Sequence, residues 1–133
     1  MLDEICSLCN ISEKDVVDWR EGKLYLDDSE YSKTYKGNII LTKDHLIFVS
    51  KKGIFTSAKK RYDVELSKIS KVSKIFLTKS YCVYANTADK GAGFFKRLFK
   101  YKNIRVSMKD GKDFFLNLKK LNPEVEVWYF LIF

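Results

Sequence analysis

The side chains best suited to chemistry in this chain are two cysteines at metal or redox spacing, one histidine, and a run of phenylalanines interleaved with cations. Cys6-Ser7-Leu8-Cys9 is a single C-x-x-C. Tetrahedral zinc needs four ligands, and beyond this pair the chain offers only Cys82 and His45, at spacings that suggest no convergence. A thioredoxin-like couple is expected just after a strand of a βαβ unit, whereas this pair falls on an expected N-terminal helix. The two read as packed thiols, one buried and one partly exposed. His45 opens a strand-like run with no nucleophile signature or carboxylate constellation beside it. The chain has no phosphate-cradling glycine loop, no histidine pair at metal spacing and no nucleophile elbow. The expectation is a protein that is not an enzyme, with no catalytic residues, no metal and no cofactor.

Binding is the better reading of the remaining polar chemistry. In Ala92 to Lys102, AGFFKRLFKYK, a helical conformation gathers Phe94, Phe95, Leu98 and Phe99 on one face, with Lys96, Arg97, Lys100 and Lys102 around and opposite it. That pattern suits a membrane surface, where rings enter the headgroup boundary and cations meet anionic lipid. The alternative is that the phenylalanines pack over the sheet and the cations form its solvated rim. Lys59-Lys60-Arg61, with Lys51 and Lys52 nearby in sequence, either extends the same positive surface or is a solvated turn. A net charge of +8 favours an acidic partner: anionic lipid, an acidic protein surface or nucleic acid. Nucleic acid is the least favoured of these. Stacking needs aromatics among cations on an exposed sheet face, and Phe114 and Leu116 read as core-directed.

A β-rich domain must hold these groups. Hydrophobic residues at 46% and aromatics at 15% exclude a disordered chain, and 133 residues suffice to bury a core without staples. Three cysteines cannot make a disulfide framework and no secretory leader is legible, so a cytoplasmic setting is expected. The longest apolar run, Val127 to Phe133, falls far below the ~20 residues of a membrane helix. Membrane contact is therefore expected to be peripheral.

In chain order, Leu2, Ile5, Leu8 and Cys9 form a helical stripe, and Ser12 resembles the cap of a second short helix carrying Val16, Val17 and Trp19. Leu24 to Leu26 could be a short strand, followed by a polar loop. Thr34 to Thr42 and His45 to Ser50 are β-branched and aromatic runs joined by Lys43-Asp44, which is the spacing of a tight hairpin. Tyr62 to Leu66, the stretch around Ile69 and Val72, and Tyr81 to Ala85 continue as strands, so a small barrel or sandwich is expected. Ile104, Val106 and Met108 alternate inward. Asp110-Gly111 then reads as a hairpin turn into a strand carrying Phe114, Leu116 and Leu118. Asn122-Pro123-Glu124 reads as the start of a C-terminal capping helix bearing Val125, Trp128, Tyr129, Ile132 and Phe133. That helix is nearly apolar all round, so Trp128, Phe130, Leu131 and Phe133 need cover from the N-terminal helices or from a partner subunit, as in a homo-oligomer or a protein-interaction adaptor.

The order Gly37 to Ser50 (GNIILTKDHLIFVS), Val64 to Val72 (VELSKISKV), Gly93 to Val106 (GFFKRLFKYKNIRV) and Asn122 to Val125 (NPEV) resembles the bacterial pleckstrin-homology and GRAM-like domains. Leu41-Thr42 followed by Leu46-Ile47-Phe48 is similar to a hairpin of that group. The resemblance covers residues 34–133 and sets apart residues 1–33 as a helical N-terminal extension and loop. It implies a mainly β fold, a strongly bent antiparallel sheet of about seven strands closed by a C-terminal helix, and a binding function. In phosphoinositide-binding members a long first strand-to-strand loop holds the phosphates with cations. The hairpin recognised here has only Lys43-Asp44 between its strands, which departs from that pattern.

Overall fold

Two strands buried on both faces determine the architecture. Ile39 to Thr42 and Leu46 to Ser50 are buried without a break, as near-continuous apolar runs must be when both sides of the sheet are covered. The computed structural model describes residues 2–27, 32–54, 57–75, 78–85 and 103–128. Its elements are helix α1 (Leu2–Cys9), strands β1 (Val16–Asp27), β2 (Ser32–Thr42), β3 (His45–Ser50), β4 (Lys59–Glu65), β5 (Ile69–Lys74), β6 (Ser80–Ala85) and β7 (Asn103–Met108), helix α2 (Gly111–Leu121) and strand β8 (Glu126–Trp128). They form one eight-stranded sheet in the order β4-β3-β2-β1-β7-β6-β5-β8. All neighbours are antiparallel except β8, which runs parallel to β5.

The inner face carries the main core, including Leu24, Ile39, Leu41, Phe48, Val72, Val83 and Val106, and α2 inserts Phe114, Phe115 and Leu118 into it. The outer face of β2 and β3 turns Ile40, Ile47 and Val49 toward Ile5 and Cys9 of α1, with Trp19 and Val16 at the edge. The Thr34–Thr42 and His45–Ser50 hairpin is present as expected. Thr42 Oγ1 accepts from the His45 and Asp44 backbone N–H groups at 2.9 and 3.3 Å, which closes its two-residue turn.

The mainly β class with helices near both ends matches the expectation, but three placements differ. Residues 111–121 form a helix rather than the returning strand of a hairpin. Phe114 and Leu118 fit both periods, whereas Phe115 is fully buried and Leu116 is 38% exposed, a pattern that only the helical period satisfies. Asp110 adopts a left-handed conformation at φ 56°, and the chain enters α2 there rather than reversing. Consequently Asn122-Pro123 follows a helix instead of starting one. The Asn122 N–H donates to Leu118 O, and Pro123 then prevents continuation. Residues 126–128 are strand β8, so the expected helix over 122–133 is overturned where the chain is described. The second N-terminal helix is likewise a single 3-10 turn, Glu13–Asp15, whose Ser12 cap accepts from Lys14 N–H. Val16, Val17 and Trp19, all favourable in strands, belong to a twelve-residue β1 that pairs with both β2 and β7.

Arg20 fixes α2 to the sheet. Its guanidinium is held by both carboxylate oxygens of Asp18 at 3.1 Å and donates to the carbonyls of Lys109 and Asp110 at 3.4 and 3.0 Å. Asn117 Nδ2 reaches Asp18 at 3.2 Å. The hydrogen bond to Asp18 holds the Arg20 guanidinium above its ordinary pKa.

Candidate functional site

Strand direction collects three connections at one end of the sheet. β1 and β3 run toward it and β2 and β4 away, while β6 runs toward it and β7 away. The β1–β2, β3–β4 and β6–β7 connections therefore all leave from that end. The first corresponds to residues 28–31, outside the described residues, with the sequence Asp28-Ser29-Glu30-Tyr31. The hairpin with Lys43-Asp44 is thus the second of the sheet, not the first. The true first connection carries two acids and no cation, which also departs from a cationic phosphate-holding loop.

Lys59, Lys60 and Arg61 lie within β4 rather than in a loop. A register slip opposite Phe48 and Val49 leaves Arg61 as the extra residue, because Phe48 pairs with Tyr62 and Val49 with Lys60. Such a bulge re-aims a side chain. The Arg61 guanidinium carbon sits 4.4 Å from the centroid of the half-buried Tyr35 ring, and its Nε donates to Ser50 Oγ at 3.0 Å. Ser50 Oγ also accepts from Lys59 N–H at 3.3 Å. Lys60 faces other partners. Its Nζ lies 2.9 Å from Asp63, whose second oxygen meets His45 Nδ1 at 2.7 Å. The three cations are therefore drawn apart, and Arg61 is the one fixed by an aromatic ring and a hydroxyl.

Of the remaining residues singled out in sequence, Phe94, Phe95, Lys96, Arg97, Phe99, Lys100 and Lys102 fall in 86–102, outside the described residues. Phe130, Leu131 and Phe133 also lie outside them, whereas Trp128 is on β8 beside Ser73 of β5. His45 and Asp44 border an open cleft of about 350 Å³ with Glu65 and Asn122. Among the described residues no group of three or more His, Cys, Asp and Glu side chains could hold a metal ion, and no helix is long and apolar enough to cross a membrane.

Cys6 and Cys9 are both buried beneath α1, while Cys82 is half-buried. Burial is the main cause that pushes both α1 thiols up from their usual value. Since the thiolate is the reactive species, Cys82 is expected to react first with a thiol-specific reagent near neutral pH. Cys6 and Cys9 should follow at least tenfold more slowly, as α1 opens. A time course read by intact-mass spectrometry with peptide mapping checks the order, and simultaneous labelling would show that α1 is not docked in solution.

Among the described residues, three aromatic–cation pairs go beyond the sequence reading. Besides Arg61 on Tyr35, Arg105 lies 4.2 Å over Tyr25 and Lys71 lies 5.4 Å over Tyr84. The last pair joins directly opposed residues of the β5–β6 hairpin, a neighbour relation that strand alternation could have revealed. The other two depend on a bulge and on the distant pairing of β1 with β7.

No family model and no curated protein matches the chain. Solved structures do match its fold. The linker-DH/PH domains of p115-RhoGEF superpose with a TM-score of 0.58 at 13% identity, over 96% of this chain and 34% of that one. The C-terminal domain of an unknown protein from Leishmania infantum matches with a TM-score of 0.51 at 14% identity, over 80% of this chain and 82% of that one. The Slm1-PH domain in complex with inositol-4-phosphate matches with a TM-score of 0.50 at 12% identity, over 84% and 97%. The chain has a pleckstrin-homology-like fold.

Proposed function

We propose that this chain is a non-enzymatic binding module that docks on an anionic membrane surface, most directly the cytoplasmic face, through the sheet end where the β1–β2, β3–β4 and β6–β7 connections leave. The observation that carries the reading is Arg61. A bulge turns it from the strand and seats it on Tyr35 at 4.4 Å, and the connection containing AGFFKRLFKYK departs from the same end. On this reading Phe94, Phe95 and Phe99 enter the headgroup boundary, while Lys96, Arg97, Lys100 and Lys102 meet its charge, with Lys59 and Arg61 behind them and Lys60 turned to Asp63. Support comes also from the net charge of +8 and from the fold shared with Slm1-PH, whose solved complex contains inositol-4-phosphate. The GRAM-like assignment rests on the order of the sequence motifs.

Co-sedimentation with vesicles at near-physiological salt tests this directly. Binding is expected to acidic but not to neutral vesicles. Each surface cation contributes about 1 kcal/mol, so loss of the Lys96, Arg97 and Lys100 charges alone is worth on the order of a hundredfold, and changing all three to Glu, which adds repulsion, should reduce binding by at least that much. Phe94→Ala with Phe95→Ala should weaken it as well. Acidic-vesicle binding that survives the triple charge reversal would refute this assignment of the contact site.

A further inference from the structure

The outer face of the β1–β7–β6 region combines exposed cations with tyrosine rings that lie on the sheet. Strand alternation sends Leu24, Val106, Tyr81 and Val83 into the core and Lys23, Tyr25, Arg105 and Tyr84 to the other side. Lys23, Lys36 and Arg105 are exposed, while Tyr25 and Tyr84 are half-exposed. Pairing sets Lys23 between Lys36 and Ser107, and Tyr25 between Thr34 and Arg105. These two rungs contain no carboxylate from β2 across to β6, and Tyr84 stands on the next rung between Asn103 and Lys71, beyond which Glu126 lies on β8. Arg105 stacks on Tyr25 at 4.2 Å, and Lys71 covers Tyr84 at 5.4 Å. Tyr25 and Tyr84 lie two strand spacings apart, about 10 Å across the sheet, and are offset by two residues, about 7 Å, along the strands, because the residue of β6 level with Tyr25 is Cys82.

We propose that this face binds single-stranded nucleic acid, with bases stacked on the Tyr25–Arg105 pair and on Tyr84, and with phosphates near Lys23 and Lys36. The ligand has to supply both a negative backbone and flat rings, because the face offers cations and flat π surfaces together. Single strands do so, and bases stack on aromatic rings and on guanidinium planes alike. Half-buried tyrosines lying on a sheet are poorly placed to reach the acyl boundary of a membrane, and a folded acidic protein needs no stacking platform. This site is separate from the membrane reading above, and neither depends on the other.

The test is fluorescence anisotropy of labelled twelve-nucleotide oligo(U) and oligo(dT), titrated with the full chain at low and near-physiological salt. Binding should appear at low salt and weaken steeply as salt rises. Tyr25→Leu and Tyr84→Leu should each weaken it roughly tenfold, within the range measured for loss of one stacked base. Tyr25→Phe, which keeps the ring, should retain it. Lys120→Ala removes one positive charge on α2 and should change it by less than twofold. Circular dichroism melts of each variant identify any that fail to fold, and the Tyr25→Phe comparison then decides. Absence of binding at low salt overturns the proposal. So does binding insensitive to both leucine variants, or lost in Tyr25→Phe, or weakened as much by Lys120→Ala as by Tyr25→Leu. Acidic-vesicle binding should be unaffected by Tyr25→Leu, so the two surfaces are separable.

Discussion

Replacing Phe115 with alanine is expected to cost about 3–5 kcal/mol of stability, the usual range for truncating a buried phenylalanine. The ring is fully buried, with its centroid 4.8 Å from Tyr81 and 5.2 Å from Phe114. It joins α2 to the inner face of β6. Loss of the ring leaves a void between a helix and a sheet, and the helix cannot settle inward to fill it. Its N-terminal approach is clamped by Arg20 at the Lys109 and Asp110 carbonyls, and its far end is tied by Asn122 Nδ2 to Leu66 O at 2.6 Å. The penalty should therefore sit toward the upper end of that range, because partial collapse is what reduces it. Leu116→Ala is the control. Leu116 points outward on the same helix, and its truncation should cost less than about 0.5 kcal/mol. Urea unfolding followed by circular dichroism gives both values. A Phe115→Ala loss below about 1.5 kcal/mol would mean that α2 does not close the core.

In α2 the sequence pattern is ambiguous. Asp110-Gly111 between apolar runs signals a hairpin, and Phe114 and Leu118 stand on one face under either a two-residue or a 3.6-residue period. Only Phe115 and Leu116 distinguish the two, and both are apolar. Where Asp110-Gly111 reads as a hairpin turn, Asn122-Pro123 reads as the start of a helix, whereas it ends α2. Strand β8 pairs over only three residues, Glu126 to Trp128 against Lys71 to Ser73, too short for a periodic signal. By contrast, the β2–β3 hairpin was legible, since β-branched runs, a two-residue turn and burial on both faces all agree. The candidate surfaces were legible as composition but not as geometry. The cations of Lys59 to Arg61 are adjacent in sequence, yet one bulge sends Arg61 to Tyr35 while Lys60 turns to Asp63. Arg105 meets Tyr25 only because β7 pairs with β1 across most of the chain. Register over such separations leaves no local trace in a single sequence.

Gly37→Ala should be the most damaging of the small-residue substitutions, at about 3 kcal/mol, the upper part of the usual overpacking range. The reason is space, not backbone angle, since none of the described glycines has positive φ. A Cβ on Gly37 would lie 2.0 Å from the backbone oxygen of Val49 and 2.8 Å from the Ser50 Cα, both atoms of the neighbouring strand. Neither can rotate away, so β2 and β3 would have to separate. That strains the rung joining Gly37 to Ser50 and, on the other side, to Gly22 of β1. Gly22 is also tight, for its Cβ would lie 2.2 Å from the Ser107 oxygen of β7. Neighbouring backbones thus approach tightly along one line of two paired glycines, as glycine permits. For a chain of this size the loss corresponds to a Tm roughly 10 °C lower, measurable by thermal melting. Gly22→Ala should act in the same direction. The double variant should lose less than the sum of the two, because the first substitution opens the rung that the second would otherwise have to force apart. Strict additivity would show that the two glycines relieve separate contacts, and a Gly37→Ala loss under about 0.5 kcal/mol would show that β2 and β3 can part there without cost.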